Sequence, residues 1–168
     1  MNNSEKMLSA IEAQDLVQAE QWFEKALLED SDSILLDLGE YLESIGFFLQ
    51  AKRIYNKLAP LYPQVNLNLA AIASEDGDLE EAFGYLEEIR SNDPWYVNAL
   101  LIKADLYQME GLPDVAREKL VEASQLSDDP IITFGMAEID FELGNFTQAI
   151  KEYASLDNRT IYEQTGIS

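Results

Sequence analysis

The chain has 168 residues, 32 of them acidic and 11 basic, for a formal charge of -21, and it contains neither cysteine nor histidine. That charge repels phosphate backbones and anionic lipid headgroups, which argues against nucleic-acid and membrane partners. The two missing residue types remove disulfides, thiolate nucleophiles, the usual general base and the commonest zinc ligands, so neither a metal nor another cofactor is expected.

With 47% hydrophobic residues the chain suffices for one domain with a continuous core, taken as 1–168. Met1 to Leu8 carries no apolar core of the signal-peptide kind, and no apolar run approaches the roughly 18 residues that would suggest a membrane helix. A cytoplasmic location is the corresponding expectation. Lys52, Arg53 and Lys57 form the densest basic patch and read as a solvated helix face.

The predicted elements are helices, and they come in pairs. The first pair falls within 1–31, where Ala19, Phe23 and Ala26 stand at offsets 0, 4 and 7, one face of an α-helix. The second, in 32–63, has Ala51, Tyr55 and Leu58 at the same offsets, five residues after Gly46. The third, in 64–95, repeats this with Gly77, then Ala82, Leu86 and Ile89. The fourth, in 96–129, has Gly111, then Ala116, Leu120 and Ala123; the fifth, in 130–158, has Gly144, then Ala149, Tyr153 and Leu156. Residues 159–168 read as the start of a further helix.

Successive glycines lie 31, 34 and 33 residues apart, and seven residues before each stands a small residue: Gly39, Ala70, Ala104 and Ala137. Each unit therefore reads as a helix A, a tight turn at the glycine and a helix B, with small residues where the two backbones approach. Gln14 stands where the first unit would have its glycine. Pro63, Pro94 and Pro130 fall at junctions between units, Pro113 suits the first turn of a helix B, and Pro60 should end the second helix B early.

A period near 34, small residues within helix A, glycine at the turn, alanine followed by an aromatic or leucine on helix B, and proline at the junction together resemble the tetratricopeptide repeat. The resemblance covers nearly the whole chain. It departs from the family at Leu35, Asn66, Leu100 and Thr133, where a tryptophan is typical, and at Asp140, where tyrosine is usual. It implies an all-α fold, an α-solenoid of about five helix-turn-helix repeats winding into a right-handed superhelix with a concave groove.

Carrying the family's groove positions onto this sequence gives an apolar row, Leu36, Leu67, Leu101 and Phe134, beside a mostly acidic one, Glu40, Ala71, Asp105 and Glu138. Glu43, Ser74, Gln108, Glu75 and Glu142 stand farther along the same helices. Such a surface suits a partner segment that combines apolar anchors with Lys or Arg. The same residues are also compatible with packing between neighbouring repeats and with ordinary solubilising surface. The cations with which one branch of the family clamps a chaperone's terminal carboxylate are absent, Leu36, Glu40, Leu67 and Ala71 standing in the corresponding places.

The expected function is a non-catalytic scaffold or adaptor for a protein or peptide. One alternative is the regulatory or assembly arm of a larger protein. Another is an enzyme working with carboxylates alone, for which Glu40 with Glu43 and Glu80 with Glu81 are the candidate pairs. The last repeat has no visible polar cap, so Ile150, Tyr153 and Leu156 are expected to meet a further repeat, the chain being the N-terminal part of a longer array, to pack on a second copy, or to be covered by a short distorted helix from Thr160 onward.

Overall fold

A computed structural model describes residues 1–156 and 163–166. Among them are ten named helices and no strand: α1 (Asn3–Glu12), α2 (Leu16–Glu29), α3 (Asp32–Ser44), α4 (Phe48–Leu58), α5 (Val65–Glu75), α6 (Leu79–Glu87), α7 (Tyr96–Met109), α8 (Pro113–Ser124), α9 (Pro130–Glu142) and α10 (Phe146–Ser155). The odd-numbered helices are the A helices and the even-numbered ones the B helices of the expected pairs. Most of the stretch expected to open a further helix lies outside the described residues, but 163–165 form one helical turn, 33 residues after the start of α9.

The turn glycines do what the spacing requires. Gly46, Gly77, Gly111 and Gly144 have φ between +77° and +88°, and Gln14 holds the same left-handed conformation with φ +60°. At Gln14, Gly46, Gly111 and Gly144 the chain closes with paired backbone bonds. Asp15, Phe47, Leu112 and Asn145 donate to the carbonyls of Ala10, Leu42, Tyr107 and Asp140 at 2.8–2.9 Å, five residues back. This is the Schellman closure, which satisfies carbonyls that a helix end would otherwise leave free. Pro113 and Pro130 are the first residues of α8 and α9. Pro60 follows the end of α4 at Leu58 by two residues, yet α6, without such a proline, is shorter still at 9 residues against 11.

The chain divides into two compact units, Met1–Glu75 and Asp76–Ser168. In the first, α1 packs on α2 and α3, α3 on α4, and α4 on α5. Its core includes Phe23, Leu35, Leu42, Ile54, Tyr55 and Leu69. Gly39 lets α3 and α4 close on each other, since a Cβ there would stand 3.0 Å from the Tyr55 ring and 3.2 Å from Ile54 Cγ2. At 3.0 Å a carbon must displace its neighbour, and Tyr55 is fully buried, so the ring has nowhere to go.

In the second unit α6 packs on α7, α7 on α8, α8 on α9 and α9 on α10. Leu100, Ala104, Ala116, Leu120, Ala123, Ile132 and Ile139 form its core, with Leu101, Tyr107 and Met136 packed against it. Ala82, Ala116, Ala137 and Ala149, all from the repeat signature, are buried.

Asp140, read from the sequence as an irregularity, is a structural element. Its carboxylate is 1% exposed and accepts Arg117 Nε at 2.8 Å and Nη2 at 2.9 Å, so α8 and α9 are joined by a two-pronged ion pair. Arg117 Nη2 also lies 3.4 Å from Glu152 on α10, itself 7% exposed. Lys103, buried on α7, similarly reaches Glu87 of α6 at 2.9 Å.

Candidate functional site

Within each unit, successive A helices bound cavities between them. In the second unit, α7 and α9 bound one of 330 Å³. Leu101, Asp105 and Gln108 enter it from α7, and Phe134, Gly135 and Glu138 from α9, with Leu120 of α8, Ile131 and Gln164 completing the wall. Residues spaced by three or four lie on one helical face, so two runs separated in sequence converge here. Five of the sequence-predicted groove residues line this one cavity. Glu142 is exposed and lies outside it.

Leu101 and Phe134 are half-buried, while Asp105 and Glu138 are exposed. Phe134 packs edge-on to Tyr153 at 5.9 Å, and the Tyr153 hydroxyl donates to Glu138 Oε1. Although Asp105 reaches solvent, the surrounding wall desolvates its carboxyl and pushes its pKa up. Gly135, another wall residue, lies outside the repeat signature; a glycine in mid-helix with no turn to explain it is the signal the sequence offers for it.

The first unit has a comparable cavity of 370 Å³, lined by Glu43, Ser44 and Phe48 and by Ala71, Ile72 and Glu75 of α5. Glu43 and Glu75, both among the sequence-predicted groove residues, line this one space. Leu36 and Leu67 are half-buried and Glu40 exposed, and none of the three lines this space. Burial pushes Glu43's pKa up, the Asn68 amide at 3.4 Å pulls it down, and the carboxylates of Glu75 and Glu40 raise it further. Glu43 Oε1 is buried without a hydrogen-bond partner. A third cavity, 330 Å³ between α1 and α3, carries Glu5, Asp37 and Tyr41, residues outside the predicted rows.

None of the residues lining these three cavities is Lys or Arg. Each cavity instead pairs two carboxylates with apolar or aromatic walls. The arrangement can attract and hold a cationic, partly apolar group. The pair proposed for carboxylate chemistry at Glu80 and Glu81 sits in the first turn of α6, where the Glu81 side chain accepts the Tyr85 hydroxyl at 2.8 Å. Among the described residues no group of three or more Asp and Glu is placed to hold a metal ion, and no helix is long and apolar enough to cross a membrane.

Comparison with known proteins agrees with the repeat architecture. The family model described as YpiA-like, tetratricopeptide repeats, matches residues 108–161. The TPR repeat-containing protein YpiA of Bacillus subtilis (strain 168) is 33% identical over 134 residues, covering 77% of this chain and 31% of its own length. The chain thus spans about a third of that relative. Among solved structures, MamA superposes with a TM-score of 0.66 at 17% identity, over 90% of this chain and 86% of its own. A thermophilic TPR protein of Thermus thermophilus gives 0.56 at 22% identity, over 92% and 88%. At such identities the two structures speak for the fold.

Proposed function

This chain is a tetratricopeptide-repeat protein with that family's all-α solenoid fold, and on that premise we propose that it is a non-catalytic docking platform whose A-helix faces hold a peptide or helix of a partner protein. The observation that carries the reading is the convergence of Leu101, Asp105, Gln108, Phe134 and Glu138 on one cavity. Apolar walls supply contact area and the carboxylates select for charge, so the partner segment combines apolar anchors with basic residues. Electrostatic attraction to a chain of charge -21 also speeds encounter with such a partner.

The test is affinity capture from native extract with the chain and with its Leu101→Glu and Phe134→Glu variants, each shown to be folded by circular dichroism. Loss of the captured partner supports the reading. Retention by both folded variants places docking elsewhere and overturns it. The absence of cysteine suits a reducing cytoplasm, which cell fractionation would check.

One observation favours a second contact surface. Phe141, Phe146 and Ile150 are exposed at 61%, 55% and 67%, with the two phenyl rings 5.3 Å apart. The residue equivalent to Ile150 in the third repeat, Phe83, stacks on Tyr107 of the next A helix at 4.7 Å, and its equivalent in the fourth, Arg117, binds Asp140 of the next A helix. By the same register this stripe receives a further A helix, as in an arm of a longer array, or a second copy of the chain. Light scattering of the chain beside its Ile150→Asp variant tests the second copy. A monomer at all concentrations would exclude it.

A further inference from the structure

The α7/α9 cavity is chemically layered. Leu101, Leu120 and Phe134 give it apolar walls, whereas Asp105 and Glu138, one from each A helix, are its solvent-exposed carboxylates. Gly135 forms part of its wall, and a Cβ there would come within 3.1 Å of Leu120 Cδ1, another wall residue. At 330 Å³ it stands at the low end of the roughly 300–1,000 Å³ typical of ligand pockets, a size suited to a single long side chain.

We propose that this cavity seats one lysine side chain of the docked partner, with its methylene stem along Leu101, Leu120 and Phe134 and its ammonium shared by Asp105 and Glu138. The assignment rests on the docking reading above and specifies the partner's chemistry.

Three arguments converge on lysine. A purely apolar occupant would strip water from Asp105 and leave its carboxylate uncompensated, although burial already raises that group's pKa. An acidic occupant would meet two like charges. Arginine's planar fork matches a single carboxylate lying in its own plane, whereas an ammonium offers three rotatable donors to acceptors on different helices. Long cationic side chains also routinely lay their stems on apolar surface while the head stays wet. Glu138 is already oriented by the hydroxyl that Tyr153 donates to it, so it is held in place for the ammonium.

The experiment is an NMR titration of the intact, nitrogen-15-labelled chain with N-acetyl-lysine amide, and with N-acetyl-norleucine amide as the uncharged isostere. The lysine probe should shift the amides of Asp105, Gly135 and Glu138 in a saturable way, and the isostere should bind about tenfold more weakly, as expected for a lost charge-assisted hydrogen bond. Asp105→Asn combined with Glu138→Gln should weaken the lysine probe by about the same factor. Gly135→Ala should do so as well, by narrowing the cavity with both carboxylates intact. If Gly135→Ala fails to fold, the carboxamide pair, exposed and tolerant of substitution, decides alone.

Shifts scattered over the acidic surface of both units, or equal binding of the two probes, would overturn the proposal. The two readings also fail separately. A native partner lost with Leu101→Glu but indifferent to the carboxamide pair and to Gly135→Ala leaves docking standing and removes the lysine. A partner indifferent to all of them removes both.

Discussion

Replacing Arg117 by Met should destabilise the second unit by about 3 kcal/mol at pH 7.5, the low end of the roughly 3–5 kcal/mol seen when one partner of a buried ion pair is removed. The low end applies because the Arg117 side chain is itself 29% exposed. The substitution keeps much of the stem's packing and strips Asp140, 1% exposed, of its two short bonds at 2.8 and 2.9 Å. Asp140 keeps the Asn145 amide at 3.2 Å and Glu152 the Gln148 amide at 2.8 Å, and the two carboxyls are left facing each other. Glu152 Oε2 is buried without a partner even in the native chain. At roughly 2–4 °C per kcal/mol for a chain of this size, the melting temperature should fall by about 10 °C.

The pH dependence gives a sharper test. In the native chain the Arg117 hydrogen bonds hold Asp140 below its ordinary 3.8, so its contribution is present above that value and is lost as the pH falls through the lower folded one. Glu152 is shifted the other way, up, first by burial and then by its neighbour Asp140, and it weighs against folding once ionised. Without Arg117 both carboxyls lose a lowering influence and shift up from their native positions. The variant's deficit is then full at neutral pH and shrinks as acid protonates them. Urea unfolding followed by circular dichroism at pH 7.5, 6 and 5 should show the gap between the two chains narrowing. A gap below about 1 kcal/mol at pH 7.5, or one that stays constant down to pH 5, would refute the reasoning.

Gln14→Gly should raise stability by about 1 kcal/mol, because Gln14 holds a left-handed φ of +60° that a side chain disfavours by roughly that much; a melt at or below the native temperature would contradict it. Ala116→Arg should destabilise the second unit by several kcal/mol, Ala116 being fully buried where α7 and α8 cross, and an unchanged melt would refute the packing argument. Raising the salt from 0.05 to 0.5 M should move stability and docking in opposite directions: screening relieves the self-repulsion of a chain of charge -21, so melting rises, while capture of a basic partner weakens. Calorimetry and the capture assay at both salts would check this, and parallel slopes would count against an electrostatic contribution to docking.

The repeat was legible because its constraints are local and chemically narrow. A φ near +80° at Gly46, Gly77, Gly111 and Gly144 suits one residue type, so the turns announce themselves. Gln14 takes the same conformation without being glycine, which shows that the helical register on either side imposes the turn and that glycine only eases it. The polar contacts between repeats were not legible. Arg117 reaches Asp140 and Glu152, 23 and 35 residues away, and a pair of that kind leaves no periodic trace. In the sequence Asp140 registers only as a missing tyrosine.

The groove was half legible for a related reason. Family register placed Leu36, Leu67, Leu101 and Phe134 in one row, but register fixes only the direction of a side chain, and the space it points into depends on what its neighbours leave empty. Gly39 and Gly135 make the contrast plain. Gly39, seven residues before its turn glycine, faces the B helix, and the ring of Tyr55 fills the room it leaves. Gly135, nine residues before its own, lines the α7/α9 cavity, and the end of Leu120, another lining residue, stands 3.1 Å from where its Cβ would be. A shift of two positions along a helix moves the missing side chain from the seam between paired helices to the wall of a cavity. On the docking proposal, selectivity therefore lies in wall residues such as Leu101 with Phe134 and Asp105 with Glu138, which the repeat holds 33 residues apart in sequence and brings to one cavity in space.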